Sequence, residues 1–505
     1  MHRLKITLKQ HTPLIHFQHD QDGATLRASE VKPKLDRFIL TKLGNGKMDL
    51  GDETKQYEKR IQELKQNNSG KMNHEIGFIY AKEQQWLIGK GDHPALDYKM
   101  SIECGEKRTE YLIASSFSGK IENQTNVKIL KNTPYFAQEE YNSQTDKSDT
   151  KNAVIYRTSK YENYYFREDK WDIINKKGLE WKNISLSIFC LNNNLSKLLN
   201  KYLDDFFLCT NFGTRSNKGF GSFSVINESS KKERKENIDD ILKENFSVVY
   251  KNESGFSDLN SFFSTIKSDY QLIKSGINLK TKYKDEYKKS LLFCYAVEKM
   301  NTEPRWEKRA IKKVLHSFPF ISLFEGRRPD GKPIHSLPNL QKWEDDHKLN
   351  YMFIRALLGF AEQYEFLVYD RDNINSDRNK KIIVRIKSNA IERFQSPIIF
   401  KVINKSLYLL ANDINNDILD EEFTFNYSIK TGKETKDILL YDQSIKKIDK
   451  DIVDTVETTN IPTDDKALVS KLSTPQHFSL IEFIDYAMNF KENDENVLKN
   501  YEKIK

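Results

Sequence analysis

A glycine-rich, basic stretch is the part of this sequence best suited to chemistry with a ligand. Residues 211–225 read NFGTRSNKGFGSFSV. They contain three glycines, two cations and a central aromatic residue: Gly213, Gly219, Gly221, Arg215, Lys218 and Phe220. Glycine permits a positive φ and a close backbone approach, whereas Arg and Lys bind phosphate groups. The stretch therefore indicates contacts to a phosphodiester chain, with Phe220 either stacking on a base or holding the loop to the core. A glycine-rich turn with incidental charge is the alternative.

The order of elements around this stretch argues against a mononucleotide site. A Walker motif needs GxxxxGK[ST] between a strand and a following helix, whose N-terminus then cradles the phosphate. Here the sequence predicts a helix, the loop and a strand in that order, so no helix N-terminus follows the loop. The same reason excludes a dinucleotide-binding fingerprint.

A group of histidines near the N-terminus is a second candidate site. The stretch HTPLIHFQHD contains His11, His16 and His19, with Asp20 and Asp22 beside them. His and Asp are suited to general-base chemistry in RNA cleavage. The HxxxxH and HxxH spacings lack a helical framework, however, and solvated loop histidines are the plainer interpretation. No Ser/His/Asp set, Cys/His pair or HExxH helix is legible, so the sequence predicts no catalytic constellation.

The elements that would position these residues alternate between strands and helices. RLKITLKQ (3–10) alternates apolar and basic residues, which predicts a strand, and SEVKPKLDRFILTKL (29–43) has helical spacing. Apolar and other residues alternate again over 184–190, which predicts a second strand. NLSKLLNKYLDDFFL (194–208) is a strongly amphipathic helix that leads into the glycine stretch, and GSFSV (221–225) is a closing strand.

The length of the chain predicts more than one domain. At 505 residues it exceeds a single ordinary core, and a charged, apolar-poor linker at 227–240 marks a boundary. The predicted domains are an N-terminal one over 1–230 with a polar insertion at 44–74, a more helical one over 241–440, and an acidic C-terminal extension over 441–505. Within the insertion we expect one exposed helix, with Tyr57, Ile61 and Leu64 as a thin apolar stripe.

Charge favours a polyanionic partner for the body of the chain. The net charge of +8 divides into −4 for residues 441–505 and +12 for the first 440 residues. No apolar run approaches the roughly 20 residues of a membrane span, and the N-terminus lacks a signal-peptide core. The four cysteines lie far apart without a CxxC pair, so we expect no disulfide framework, no metal site and no cofactor. These features predict a reducing, cytoplasmic setting.

The same stretches resemble the RAMP superfamily of CRISPR proteins. The resemblance rests on a first strand ending in TPL (12–14), on LRASEVKPKLDRF (26–38) and on the helix–GTRSNKGFG–strand closure. It implies an α+β fold of two ferredoxin-like (RRM-like) domains, in which the glycine-rich loop contacts guide RNA. One departure is that IHFQHD (15–20) replaces the family's usual Gly-Gly after the first strand.

A second match narrows the resemblance to the Cmr-type subunit that caps the 3′ side of the guide RNA. It consists of ERFQSPIIFKV (392–402) with RALLGF (355–360) upstream. It implies a non-catalytic RNA-binding subunit of a type III-B effector complex in antiviral defence, with guide (crRNA) and target RNA and other RAMP subunits as partners. The expected RNA contacts are Arg27, Lys34, Arg37, Gly213, Arg215, Lys218, Gly219, Phe220, Gly221, Arg393 and Ser396.

Two alternatives remain open from the sequence. One is a RAMP-type, metal-independent endoribonuclease that processes CRISPR transcripts, with His16 or His19 as general base. The other is a two-domain scaffold that binds only protein, which the charge of the body and the glycine loop disfavour. Basic segments such as RASEVKPKLDR (27–37) are, each taken alone, more often solvated faces than walls of a groove.

Overall fold

The computed structural model of the chain describes residues 2–15, 25–46, 48–89, 94–116, 120–121, 127–130, 145–146, 154–156, 164–166, 173–226, 238–280, 285–300, 307, 311, 322–323, 352–360, 363–369, 380–431, 434–438 and 471–505. The α-helices within them are α1 (Ala28–Asn45), α2 (Thr54–Asn67), α3 (Asn73–Glu83), α4 (Asn193–Cys209), α5 (Ile238–Asn245), α6 (Leu259–Lys274), α7 (Leu291–Lys299) and α8 (Leu480–Asn489). Short 3₁₀ helices span Gly51–Glu53, Ile354–Leu358 and Asn416–Ile418.

The strands complete a mixed α/β fold of several small sheets. In chain order they are β1 (His2–Gln10), β2 (Leu87–Ile88), β3 (Ala95–Leu96), β4 (Tyr98–Glu103), β5 (Lys107–Ser116), β6 (Lys120–Ile121), β7 (Val127–Leu130), β8 (Thr145–Asp146), β9 (Val154–Tyr156), β10 (Tyr164–Phe166), β11 (Ile173–Trp181), β12 (Ile184–Cys190), β13 (Phe223–Ile226), β14 (Val248–Asn252), β15 (Ile277–Lys280), β16 (Asp285–Lys288), β17 (Ser322–Leu323), β18 (Gln363–Tyr369), β19 (Lys380–Lys387), β20 (Ile398–Ile403), β21 (Ser406–Ala411), β22 (Glu422–Thr431), β23 (Glu434–Ile438), β24 (Lys471–Ser473), β25 (Lys491–Glu492), β26 (Glu495–Asn496) and β27 (Tyr501–Lys503).

The first sheet has the strand order β13-β1-β12-β4 and is antiparallel throughout. Helix α1 follows β1 in sequence, and α4 lies between β12 and β13. The register pairs Leu4 with Ile188 and Leu8 with Ile184, so the alternating apolar residues of both strands share one face. The strands predicted at 3–10 and 184–190 and the helices predicted at 29–43 and 194–208 are thereby confirmed.

Helices α1 and α4 cover the apolar face of this sheet. Leu8 of β1 and Leu186 of β12 belong to one buried cluster with Leu35 of α1 and Leu199 of α4. Burying each such side chain contributes about 1.5–3 kcal/mol to the free energy of unfolding. The opposite face of the sheet carries no described helix.

The predicted insertion contributes to this core. Its helix is α2, as expected, but Tyr57, Ile61 and Leu64 are all buried in the same cluster as the sheet. Helix α3 packs closely on α1, since a Cβ at Gly77 would lie 1.9 Å from the carbonyl oxygen of Leu40. The apolar stripe of α2 is therefore part of the domain interior.

A second four-stranded antiparallel sheet has the order β20-β21-β14-β27. Its strands come from three distant parts of the chain. The contacts divide the chain into two compact units that interleave in sequence: the first unit contains Met1–Asp269, Ile398–Ala411 and Lys499–Lys505, and the second contains Tyr270–Pro397 and Asn412–Leu498. This sheet and the sheet β13-β1-β12-β4 both belong to the first unit. The domain ranges predicted from the sequence remain predictions.

The remaining sheets are divided between the two units. The first unit contains the sheets β11-β5-β7, β6-β10-β9-β8 and β2-β3, and the second contains β17-β18-β19-β22-β23 with β24 on β22, together with β15-β16 and β25-β26. None of the helices in the described residues has the length and apolar character that crossing a membrane requires.

Candidate nucleic-acid interface

The glycine stretch forms a closed loop between α4 and β13. The Phe212 N–H donates to the carbonyl oxygen of Gly221 (2.9 Å), which joins the two ends of the loop. The Lys218 N–H donates to the carbonyl oxygen of Arg215 (2.8 Å), which closes the tip as a turn. The predicted order of helix, loop and strand is confirmed. The tip that carries both cations is thus held by backbone hydrogen bonds.

The loop lies directly against the TPL segment that follows β1. The Gly221 N–H donates to Pro13 O (2.9 Å), and the Thr214 N–H donates to Ile15 O (2.8 Å). Gly213 and Gly221 have left-handed backbones, with φ of 76° and 64°. A Cβ at Gly213 would lie 2.5 Å from Ile15 O, and one at Gly221 would lie 1.9 Å from a carbonyl oxygen of the loop itself. These glycines are required because backbone packs on backbone.

Helix α1 holds the start of the loop through a carboxylate and an amine. Glu30 Oε1 accepts hydrogen bonds from the Gly213 N–H (2.6 Å) and from Lys34 Nζ (3.0 Å). Lys34 Nζ also donates to the carbonyl oxygen of Asn211 (3.1 Å). Arg27 is the N-cap residue of the same helix. The structure therefore brings Lys34 to the loop, where its amine already binds two protein oxygens.

The remaining predicted contacts around the loop differ in exposure. Arg37 is exposed on α1, and Arg215 and Lys218 are half-buried. Phe220 is fully buried and stacks on Phe263 with ring centroids 4.1 Å apart. Of the two roles expected for Phe220, it therefore performs the structural one: it holds the loop to the core, and its ring is not available to a base.

Strand β20 closes the other side of the loop. The Phe400 N–H donates to Asn217 O (3.0 Å), and Asn211 Nδ2 donates to Phe400 O (2.9 Å). Ser222 Oγ donates to Val402 O (2.6 Å). The IIFKV strand, assigned from the sequence to the second domain, thus pairs with the glycine loop of the first. Sequence reasoning singled out both stretches, but no signal in either indicates that they touch.

Lys401 of β20 is the functional residue that sequence reasoning missed. Its side chain is fully buried, and its amine donates to Phe207 O (2.7 Å), Thr210 O (2.8 Å) and Phe223 O (3.4 Å). Phe207 and Thr210 lie at the C-terminal end of α4, where carbonyl groups lack helical partners and the helix dipole favours a cation. Burial lowers the pKa of Lys401 from 10.5 to about 7. Lys401 therefore fixes both ends of the glycine loop to β20.

His11 is a structural residue in this arrangement. The Asn404 N–H donates to its Nδ1 (3.2 Å), so the neutral ring carries its proton on Nε2, which donates to Ser224 Oγ (2.9 Å). Burial and the positive charges of Lys401 and Lys9 lower the pKa of His11 to about 3. With both nitrogens engaged and so low a pKa, His11 is a poor general base at neutral pH.

The other histidines of the cluster, His16 and His19, lie outside the described residues, as do Asp20 and Asp22. Across the part of the chain that the structure describes, no group of three or more His, Cys, Asp and Glu side chains has an arrangement that could hold a metal ion.

The second predicted motif comes together within the second unit. Gly359, at the end of RALLGF, has φ of 85°, and a Cβ there would lie 2.7 Å from the Ser396 backbone nitrogen. The Phe360 N–H donates to Phe394 O (3.3 Å). Arg393 is exposed and Ser396 is half-buried. The two stretches that suggested the Cmr-type subunit are therefore packed backbone to backbone.

The comparison with protein families identifies the chain over nearly its whole length. Residues 1–277 match the Cmr1 N-terminal domain, and residues 287–505 match the Cmr1 C-terminal domain. The chain belongs to the Cmr1 family. The resemblance to the Cmr-type subunit drawn from the sequence is confirmed, and Cmr1 membership makes the chain a type III-B RAMP subunit. That membership implies association with other subunits of the Cmr complex and with RNA. No curated protein and no solved structure matches the chain.

Replacing Gly221 by Ala tests the backbone packing of the loop. Gly255 is a matched control, because its φ of 66° is close to that of Gly221 whereas no atom lies within 4 Å of its added Cβ. The left-handed backbone alone costs about 1–2 kcal/mol in both variants. We expect Gly221→Ala to lose roughly 1–3 kcal/mol more than Gly255→Ala in urea unfolding, because its Cβ overlaps a carbonyl oxygen. Equal losses would show that the loop yields to the added methyl group.

Replacing Lys401 by Met tests the buried amine. The substitution leaves buried carbonyl oxygens without the Lys401 donor, and each unsatisfied oxygen lowers the free energy of unfolding by about 1–3 kcal/mol. Lys405→Met is the control, because Lys405 is exposed in the turn that follows β20. The sign of the pH dependence follows from the pKa of Lys401, about 7 when folded and 10.5 ordinarily. Between these values the unfolded chain binds more protons, so the stability of the wild type rises with pH. Urea unfolding should show a larger loss for Lys401→Met at pH 9 than at pH 7. A loss independent of pH would contradict the lowered pKa.

Proposed function

We propose that this Cmr1-family chain is a non-catalytic RNA-binding subunit of its effector complex, and that the glycine loop contacts the backbone of guide RNA. One observation carries the proposal: the TPL segment, the first turns of α1 and strand β20 converge on the loop that bears Arg215 and Lys218. A loop fixed on three sides is suited to presenting cations to phosphates. Arg27 and Arg37 on α1 extend the basic surface.

Two ferredoxin-like domains are the proposed scaffold of this interface. Numbering the strands of the first sheet by sequence gives the spatial order 4-1-3-2, with α1 after the first strand and α4 after the third. The second sheet has the same order when β14, β20, β21 and β27 are numbered in the same way. This order and alternation of elements are those of the split βαβ unit. The repeat supports the proposal that both halves are RAMP-type domains.

The proposed contacts are to phosphates and therefore independent of base sequence. Such contacts position the nucleic acid, and their affinity falls steeply with salt. In this proposal base pairing within the complex supplies sequence specificity, while this chain holds guide RNA, contacts target RNA and binds neighbouring RAMP subunits in antiviral defence. Arg393 and Ser396, in the second unit, are proposed as a further RNA contact.

The alternative function is a RAMP-type endoribonuclease with His16 or His19 as its base. The observation nearest to this alternative is His11, the described histidine of the cluster, whose two ring nitrogens are both engaged. His11 is therefore not the base, and RNA cleavage by variants of the other two histidines decides between the two functions.

Replacing the two loop cations tests the proposed function. We expect Arg215→Ala/Lys218→Ala to weaken binding of single-stranded RNA about tenfold or more, because hydrogen bonds to charged phosphates are lost. The slope of log affinity against log salt should fall by about 1.4, or 0.7 for each phosphate contact. Arg385→Ala/Lys387→Ala is the matched control, because both residues are exposed on β19 and the change in charge is the same.

The RNA that co-purifies with the tagged chain from its host separates the alternatives. Repeat-derived guide RNA recovered with Cmr subunits, and lost in the loop variant but retained in the control variant, is the expected result. Free RNA that accumulates uncut in His16→Ala/His19→Ala would establish the endoribonuclease in its place. If no preparation contained bound RNA, both RNA functions would be wrong and the protein-binding scaffold would be the remaining function.

A further inference from the structure

The face of the first sheet opposite α1 and α4 carries an unusual row of side chains. Along β1 and β12 the apolar residues face the helices, so the alternate positions face away. The register places Arg3 opposite Phe189, and Phe189 opposite Lys99 on β4. The row therefore reads cation, aromatic, cation across three adjacent strands.

The cations of this face are open to solvent. Arg3, Lys5 and Lys99 are all exposed, and the Arg3 guanidinium lies 5.1 Å from the centroid of the Phe189 ring. Lys5 occupies the next row, opposite Ser187. Neighbouring rows are about 7 Å apart and paired residues about 5 Å apart, so the three charges repel one another.

Near this row, an apolar side chain lies closer to Phe189 along the face than the acidic side chain of β4 does. Glu103 pairs with Ser185, two rows from Phe189, and is therefore not an ion-pair partner for the row. Leu191 continues the alternation of Phe189 and is 73 % exposed. The face thus combines exposed positive charge with accessible apolar surface at the centre of a four-stranded sheet.

We propose that this sheet face, defined by Arg3, Lys5, Lys99 and Phe189, is a second binding surface, and that its ligand is single-stranded RNA. A phosphate chain neutralises the three cations, and an unpaired base takes the place of the Arg3 guanidinium over the Phe189 ring, so that this guanidinium turns to a phosphate. The central strands of four-stranded RNA-binding sheets carry such aromatic residues. This surface rests on the proposed RNA-binding function for its ligand, but it shares no residue with the glycine loop.

The chemistry of the row favours a single strand over other polyanions. Duplex RNA buries its bases, so it offers phosphates but no base face to Phe189. An acidic protein segment would satisfy the cations but would gain less from the flat aromatic ring. The remaining central positions carry small side chains, since Ser185 is half-buried and Ser187 is buried, so neither fills the space above the sheet that a base would need.

The test uses the purified full chain and a fluorescent 20-nucleotide oligouridine over a salt series. We expect Lys5→Ala/Lys99→Ala to weaken binding roughly tenfold and to lower the salt slope by about 1.4. Lys55→Ala/Lys59→Ala is the control, because both lysines are exposed on α2 and the change in charge is identical. This control should bind as the wild type does.

Phe189 is tested by its own pair of variants. Phe189→Leu keeps an apolar side chain but removes the ring, and should weaken binding about fivefold or more with the salt slope unchanged. Phe189→Tyr keeps the ring and should bind as the wild type does. Thermal unfolding of each variant identifies any loss that reflects folding alone.

The outcomes separate this proposal from the function of the loop. If Arg215→Ala/Lys218→Ala weakens binding and the sheet variants do not, the sheet face is not an RNA surface while the loop function stands. If only the sheet variants weaken binding, the sheet proposal stands and the loop assignment fails. If neither set weakens binding relative to its control, both are overturned. Loss of Cmr subunits from the sheet variants with oligouridine affinity unchanged would make this face a protein interface and overturn the proposal.

Discussion

The arrangement of the candidate site depends on one buried amine. Lys401 donates to carbonyl oxygens at the end of α4 and at the start of β13, the two points between which the glycine loop is suspended. The amine thereby satisfies these carbonyls and ties β20 to the loop. A buried charge is costly, and the three carbonyl oxygens offset only part of that cost, because burial still lowers the pKa of Lys401 to about 7.

That constraint explains why the loop needs so many glycines. Strand β20 approaches from one side, the TPL segment from a second and α1 from a third, so the loop has backbone on nearly every side. A side chain at Gly213 or Gly221 would occupy space already filled by carbonyl oxygens. The residues left at the tip are Arg215 and Lys218. A rigid scaffold that presents cations from a short loop is a common way in which folds acquire binding functions.

The repeated strand order suggests how such a site arises. The sheets β13-β1-β12-β4 and β20-β21-β14-β27 have the same spatial order, and the glycine loop next to the first meets a strand of the second. The candidate site thus lies where two sheets of the same strand order meet within a single compact unit. The proposed sheet-face surface uses a different part of the first copy, where charge and an aromatic ring are set by strand register rather than by loop packing.

Local patterns determined much of this protein from its sequence. The spacing of apolar residues predicted the strands β1 and β12 and the helices α1 and α4. Each of these elements buries one face, so its apolar residues recur with the period of a strand or of a helix. The glycine stretch and the TPL and RALLGF segments were recognisable because left-handed and closely packed backbone restricts residue type. The family also followed from these short stretches.

Only the tertiary structure decided which of these stretches meet. The sequence placed IIFKV in another domain, about 180 residues from the loop that it pairs with, because local periodicity carries no information on partners. No local pattern in the sequence predicted a role for Lys401, because its burial depends on contacts with α4 and β13 that lie far from it in the chain. Phe220 was equally suited to a base or to the core, and Phe263 decided between them. The sequence determined the elements and the chemical groups, and long-range packing determined which of those groups meet and which are buried.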